Sequence, residues 1–193
     1  MSLSKDFFKF LMQESKEISF AYIIESTTGC KVFRLDNDEI VSELFDASKK
    51  VLSEVQDFDY SNQRPNEIGN DLDRRLREKL VGKLPKRKFA GYPDIIIERK
   101  KKNYYIEVKL ANINQLGSRL GSFYYEPVKI AKVDKDAFHI LVGFLHQNKR
   151  ILGFKIVDLS KINVSLKNEF NANNVEIYKK DAILKEYPQT RLV

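Results

Sequence analysis

The chain has 193 residues, 42% hydrophobic and 32% charged, with 34 basic against 27 acidic side chains and a net charge of +7. That length suits one domain with a single sizeable core, and the composition is that of a globular protein and not a disordered one. No apolar run reaches the roughly 20 residues needed to span a bilayer, no secretory signal opens the chain, and the lone Cys30 can form neither an internal disulfide nor a zinc cluster, so a reducing cytoplasm and no membrane association are expected.

Taken in chain order, residues 5 to 16 read as a short helix with Phe7, Phe8 and Leu11 on one side. Residues 18 to 35 are rich in Ile, Tyr, Val and Phe, are broken at Thr27-Thr28-Gly29, and suggest two short strands. Asp36, Asn37 and Asp38 offer N-caps for a helix from about 39 to 55, whose stripe is Val41, Leu44, Phe45, Leu52 and Val55. After a polar stretch, Arg64-Pro65 opens a second helix carrying Ile68, Leu72, Leu76 and Leu80 at spacings of four. Asn66, Asn70, Asp73 and Arg77 form a polar stripe beside them. Two strands follow, at about 93 to 99 and 103 to 110, then a helix or irregular segment to residue 125. Strands at 137 to 145 and 151 to 158 are joined by the polar turn His146-Gln147-Asn148-Lys149, and the first is so uniformly apolar that a central place in the sheet is expected. A last strand is expected at Val175 to Tyr178. The class is α/β or α+β, one mixed central sheet flanked by helices, with nothing to mark a domain boundary.

The basic residues are concentrated between Lys83 and Lys102: Lys83, Lys86, Arg87, Lys88, Arg99, Lys100, Lys101 and Lys102 stand against Asp94 and Glu98. Such a cluster suits a polyanionic partner, although a solvated loop and turn would carry the same charges.

Chemistry concentrates in Gly91-Tyr92-Pro93-Asp94-Ile95-Ile96-Ile97 and Tyr104-Tyr105-Ile106-Glu107-Val108-Lys109-Leu110. In a strand, Glu107 and Lys109 share one face while Ile106, Val108 and Leu110 take the other. If Lys100-Lys101 is a two-residue turn, Arg99 pairs with Lys102, paired residue numbers sum to 201, and Asp94 falls opposite Glu107 with Cβ atoms about 5 Å apart. Facing carboxylates repel, but a divalent cation reverses the sign, and magnesium suits one or two carboxylates plus water and phosphate oxygens. Lys109 beside them would hold or deprotonate a water, or steady developing phosphate charge. An exposed hairpin face with an ordinary charge network fits the same pattern.

Pro93-Asp94, twelve residues, then Glu107-Val108-Lys109 resembles the PD-(D/E)XK nuclease superfamily, and within it the chain looks most like a small type II restriction endonuclease. The resemblance covers about residues 64 to 125 and implies a restriction-endonuclease-like fold. It also implies one nuclease domain over 1–193, with a mainly helical part at 1–60 and a catalytic core at 64–160. Asp94 and Glu107 would then hold Mg2+, or Mn2+ in its place, with the Val108 carbonyl, while Lys109 serves the attacking water. The preceding helix would supply a further carboxylate, with Asp73 favoured over Glu67 and Asp71. Ser118 and Arg119, with Lys86, Arg87 and Lys88, are candidate DNA contacts. The partners implied are double-stranded DNA and a second copy of the chain, since two-fold symmetry matches a palindromic site. Asn112, Asn114, Gln115, Lys167, Asn168, Asn171, Asn173 and Asn174 are candidates for base reading. A structure-selective repair nuclease or Holliday-junction resolvase, and a DNA-binding module without catalysis, are the alternatives. His139 reads as a core histidine, two histidines without cysteines make no zinc site, and no phosphate-binding Gly-rich loop or nucleophile motif is present.

Overall fold

The computed structural model describes residues 17–36, 38–82, 91–117, 122–125, 132–166 and 170–187. The expected helix at 5 to 16 lies outside them. Strand β1 (Ile18–Ser19) runs directly into helix α1 (Phe20–Thr28), followed by strand β2 (Val32–Phe33). The two short strands expected over 18 to 35 are present only as two-residue pieces, and the helix between them corrects the rest of that reading. β-Branched and aromatic content suggests strand, but Phe20, Ile23 and Ile24 recur at helical spacing and all three are buried. Gly29 ends α1 at φ 77°, the left-handed conformation glycine adopts without strain, and its N–H donates to the Glu25 carbonyl.

Helix α2 (Glu39–Val55) begins at Asp38, whose Oδ1 accepts the Ile40 N–H at 3.0 Å. Helix α3 (Pro65–Leu80) has Pro65 in its first turn, and Glu67 Oε2 folds back to accept the Arg64 N–H at 2.7 Å. Ile68, Leu72, Leu76 and Leu80 form its buried stripe. Strands β3 (Ile95–Arg99) and β4 (Lys102–Asn112) make a hairpin in which Arg99 faces Lys102 and Ile95 faces Ile106, the register summing to 201. Lys100 and Lys101 take φ 47° and 64°, the left-handed pair a two-residue hairpin turn demands, although neither is the usual Asn or Gly.

Beyond a 3-10 turn at Ile113–Gln115 lies β5 (Ser122–Tyr125). Strands β6 (Ala137–Gln147) and β7 (Arg150–Asp158) form a second hairpin, turned at Asn148 and Lys149 with φ 49° and 66°. The chain ends its described course in β8 (Asn163–Leu166), β9 (Phe170–Asn173), the one-turn helix α4 (Asn174–Ile177) and β10 (Ile183–Tyr187). The strand expected at Val175 to Tyr178 is therefore a helical turn closed by Tyr178 N–H to Asn174 O.

The main sheet has the order β10-β7-β6-β4-β3, with β2 beside the start of β6. β4 and β6 are parallel, and the other neighbours along that order are antiparallel, so the sheet is mixed. The expected central strand, β6, is indeed flanked on both sides and buried almost throughout. On one face, Ile95, Ile97, Tyr104, Ile106, Ile140, Val142 and Phe144 pack against α2 and α3. On the other, Tyr105, Ala111, Leu141 and Leu145 pack with α1 and a smaller sheet of order β1-β8-β9-β5. Strand alternation divides β4 between these two cores.

Candidate active site

Just before β3, the Asp94 N–H donates to the carbonyl of Ile106, the residue that already faces Ile95, at 3.1 Å. The Asp94 side chain meets that of Glu107, and the two are hydrogen-bonded to each other. Asp94 Oδ2 also accepts the Val108 N–H at 2.8 Å, which fixes the carboxylate against the strand. Glu107 and Lys109 lie on the face of β4 that carries Tyr105 and Ala111, so charged groups interrupt an otherwise apolar surface. Asp73, on α3 with its Oδ2 bound to Arg77 at 3.1 Å, lies near enough for the Asp94 charge to act on it. The structure thus brings Asp73, Asp94, Glu107 and Lys109 together.

Burial dominates the electrostatics. It pushes the Glu107 carboxyl well above the ordinary range, and the Asp94 charge adds to the effect. It raises Asp94 as well, against the Val108 N–H and the positive Lys132. Asp73 is pushed up to about 6 by burial and then by Asp94. Lys109 is brought down to about 8 by burial, partly offset by Glu107. Of the other acids on α3, Glu67 caps the helix and Asp71 is bound by Tyr60, Arg74 and Arg75.

Among the described residues, no three Asp, Glu, His or Cys side chains stand as a ready-made metal cluster. Magnesium does not ask for one, since it takes one or two carboxylates and keeps several waters. Glu107 Oε2 and Asp73 Oδ1 are buried without a hydrogen-bond partner among the described residues. Buried acceptors left unmatched beside a second carboxylate are what a hard cation would satisfy, so these side chains fit a divalent metal.

The basic cluster divides. Arg99, Lys100 and Lys102 pair with Glu43, Glu39 and Asp38 of the α2 start at 3.2, 2.5 and 2.7 Å, so their charge is largely spent within the protein. Lys86, Arg87, Lys88, Ser118 and Arg119 lie outside the described residues. Among the polar candidates, Asn114 and Gln115 are exposed in the 3-10 turn just past β4. Asn174 is buried and donates to the Gln115 carbonyl at 3.0 Å, which removes it as a base reader. Lys167 and Asn168 are outside the described residues.

Sequence reasoning missed one group. Lys132 donates to the Gly91 carbonyl and, at 3.4 Å, to that of Pro93, next to Asp94. No spacing pattern ties it to the hairpin. His139 is fully buried, with Nδ1 at 2.5 Å from the Tyr92 hydroxyl, and burial brings it down to about 3. That is the core histidine expected from the sequence, kept neutral by burial.

A family model described as the type II restriction enzyme MjaV family matches residues 11–181. The chain is also 31% identical, over 210 aligned residues covering 91% of each protein, to the type II restriction enzyme MjaV of Methanocaldococcus jannaschii. No solved structure matches it significantly. No helix among the described residues is long and apolar enough to cross a membrane.

Proposed function

The chain belongs to the type II restriction enzyme MjaV family, and from that premise we propose that it is a magnesium-dependent endonuclease cutting double-stranded DNA at a specific sequence. The observation that carries this reading is the convergence of Asp94, Glu107 and Lys109 on one face of a buried hairpin, joined by Asp73. We read the chain as a PD-(D/E)XK nuclease domain, with its catalytic core over residues 64–160.

Asp94 and Glu107 would hold the metal, with the Val108 carbonyl, and Asp73 would complete the acidic rim. The chemistry that magnesium, or manganese in its place, would supply there is charge for the phosphoryl oxygens and acidity for water. Asp94 is oriented for this by the Val108 N–H. Lys109 Nζ, brought down to about 8, orients the attacking water, exchanges a proton with it and balances the charge gathering on the phosphate. Lys86, Arg87, Lys88, Ser118 and Arg119 contact the DNA backbone, which positions the duplex without reading it. Two copies related by a two-fold axis cut both strands of a palindromic site, and the enzyme works in the cytoplasm.

Digesting a plasmid of known sequence with magnesium and mapping the ends tests the reading. Discrete fragments whose ends share one sequence are expected. A plasmid left intact in magnesium and in manganese, or degraded at random, overturns it.

A further inference from the structure

The segment Lys132–Asp136 enters β6 and is anchored at nearly every residue. Val133 is buried in the same apolar core as Tyr105 and Leu141. Asp134 accepts the Tyr105 hydroxyl proton at 2.8 Å and returns its own N–H to the same oxygen at 3.1 Å. Lys135 pairs with Glu98. Asp136 accepts the Lys31 N–H through its side chain and the Asn103 amide through its carbonyl. Tyr105 is two residues before Glu107 on the same face of β4, so this segment is tied to the strand that carries the proposed catalytic residues.

From that anchored base the Lys132 side chain turns back to the segment preceding Asp94. Its ammonium donates to the carbonyls of Gly91 and Pro93, on either side of the buried Tyr92. Gly91, at φ 111°, adopts a backbone conformation that side chains other than hydrogen rarely permit. The ladder reaches only to the Asp94 N–H, so the backbone just before it needs another partner. The same positive charge acts on Asp73, Asp94 and Glu107.

We propose that Lys132 is a positioning residue for the metal-binding carboxylates: a cationic clamp that joins the β6 entry segment to Gly91–Pro93 and thereby aims Asp94. It acts through Asp94 and not on substrate. The proposal rests on the reading of Asp94 and Glu107 as the nuclease centre.

The clamp has a readout independent of cleavage. The Val108 N–H is held by the Asp94 carboxylate and not by a ladder partner on β3, so its hydrogen exchange reports whether Asp94 stays aimed. Lys132→Met is expected to speed exchange at Val108 about 10-fold in metal-free full-length protein, while Ile140 and Phe144 in β6 keep wild-type protection. In magnesium the same variant should lose about 10- to 100-fold in kcat, the scale of a misplaced catalytic group, with KM for DNA within about twofold. Lys132→Cys in a Cys30→Ser background, then aminoethylated to restore an ammonium at the same reach, should regain both protection and rate. Unchanged Val108 exchange, equal acceleration at all three amides, or no recovery on aminoethylation overturns the clamp. Full cleavage by Asp94→Asn would instead overturn the nuclease-centre reading, and the Val108 measurement would still decide whether Lys132 holds Asp94.

Discussion

Replacing Asp73 with Asn is expected to stabilise the metal-free protein at neutral pH while slowing cleavage. Burial and the nearby Asp94 push the Asp73 carboxyl up to about 6 from 3.8, so the folded chain holds this proton more tightly than the unfolded one. The group therefore costs nothing well below pH 3.8, erodes stability as the pH rises from there through 6, and keeps that cost above. The gap between the two values corresponds to about 3 kcal/mol. Little is lost to solvent screening, because the side chain is only 23% exposed, and the opposing pull of Arg77 is already contained in the value. An amide imitates the neutral acid at every pH. Urea unfolding in chelator should thus show the variant's advantage growing by roughly 2–3 kcal/mol between about pH 4 and pH 8. A difference that stays constant with pH, or that moves against the variant as pH rises, would refute the burial of Asp73 within range of the Asp94 charge.

Three further outcomes are expected. Asp94→Asn should weaken metal binding, measured by calorimetry, whereas Lys109→Ala should keep calcium-supported DNA binding and lose about 10²-fold or more in cleavage; full cleavage by Lys109→Ala would remove it from the chemistry. Gly143→Ala would bring a methyl 2.2 Å from the Tyr178 hydroxyl and should cost about 1–3 kcal/mol by thermal or urea unfolding. Tyr178→Phe removes a buried hydroxyl without a hydrogen-bond partner among the described residues, so it should be near neutral alone and recover part of the Gly143→Ala loss. Finally, Lys100→Ala with Lys102→Ala should leave the salt dependence of DNA affinity almost unchanged, since both cations are paired with α2. Replacing Lys86, Arg87 and Lys88 with Ala should flatten it, by a slope change of up to about 0.9 for each phosphate no longer neutralised.

The hairpin was legible because its two faces differ chemically, so that Ile95, Ile97 and Ile106 go inward together, and because a two-residue turn at Lys100-Lys101 sets the register. Helices α2 and α3 were legible from apolar spacing and from Asp38 and Pro65 at their starts. Helix α1 was hidden by its composition, although Phe20, Ile23 and Ile24 already carried the helical period. Helix α4 is a single turn, too short for any period to appear, and its Val175, Ile177 and Tyr178 suggest strand. Lys132 could not be found from spacing at all. Its place at the site is created by the parallel pairing of β4 with β6, which joins distant stretches of chain.

Strand β4 is shared by two cores, with Ile106 and Val108 serving one and Tyr105, Glu107 and Lys109 the other. A deletion or insertion of one residue between Asp94 and Glu107 would, with the two-residue turn kept, leave the acids out of step and exchange oily for ionic side chains along one strand. Length changes that preserve both the turn and the facing acids must add or remove one residue from each arm. Natural variation in this loop length should therefore come in even steps, with odd steps found only where the turn itself has been rebuilt or a bulge absorbs the extra residue.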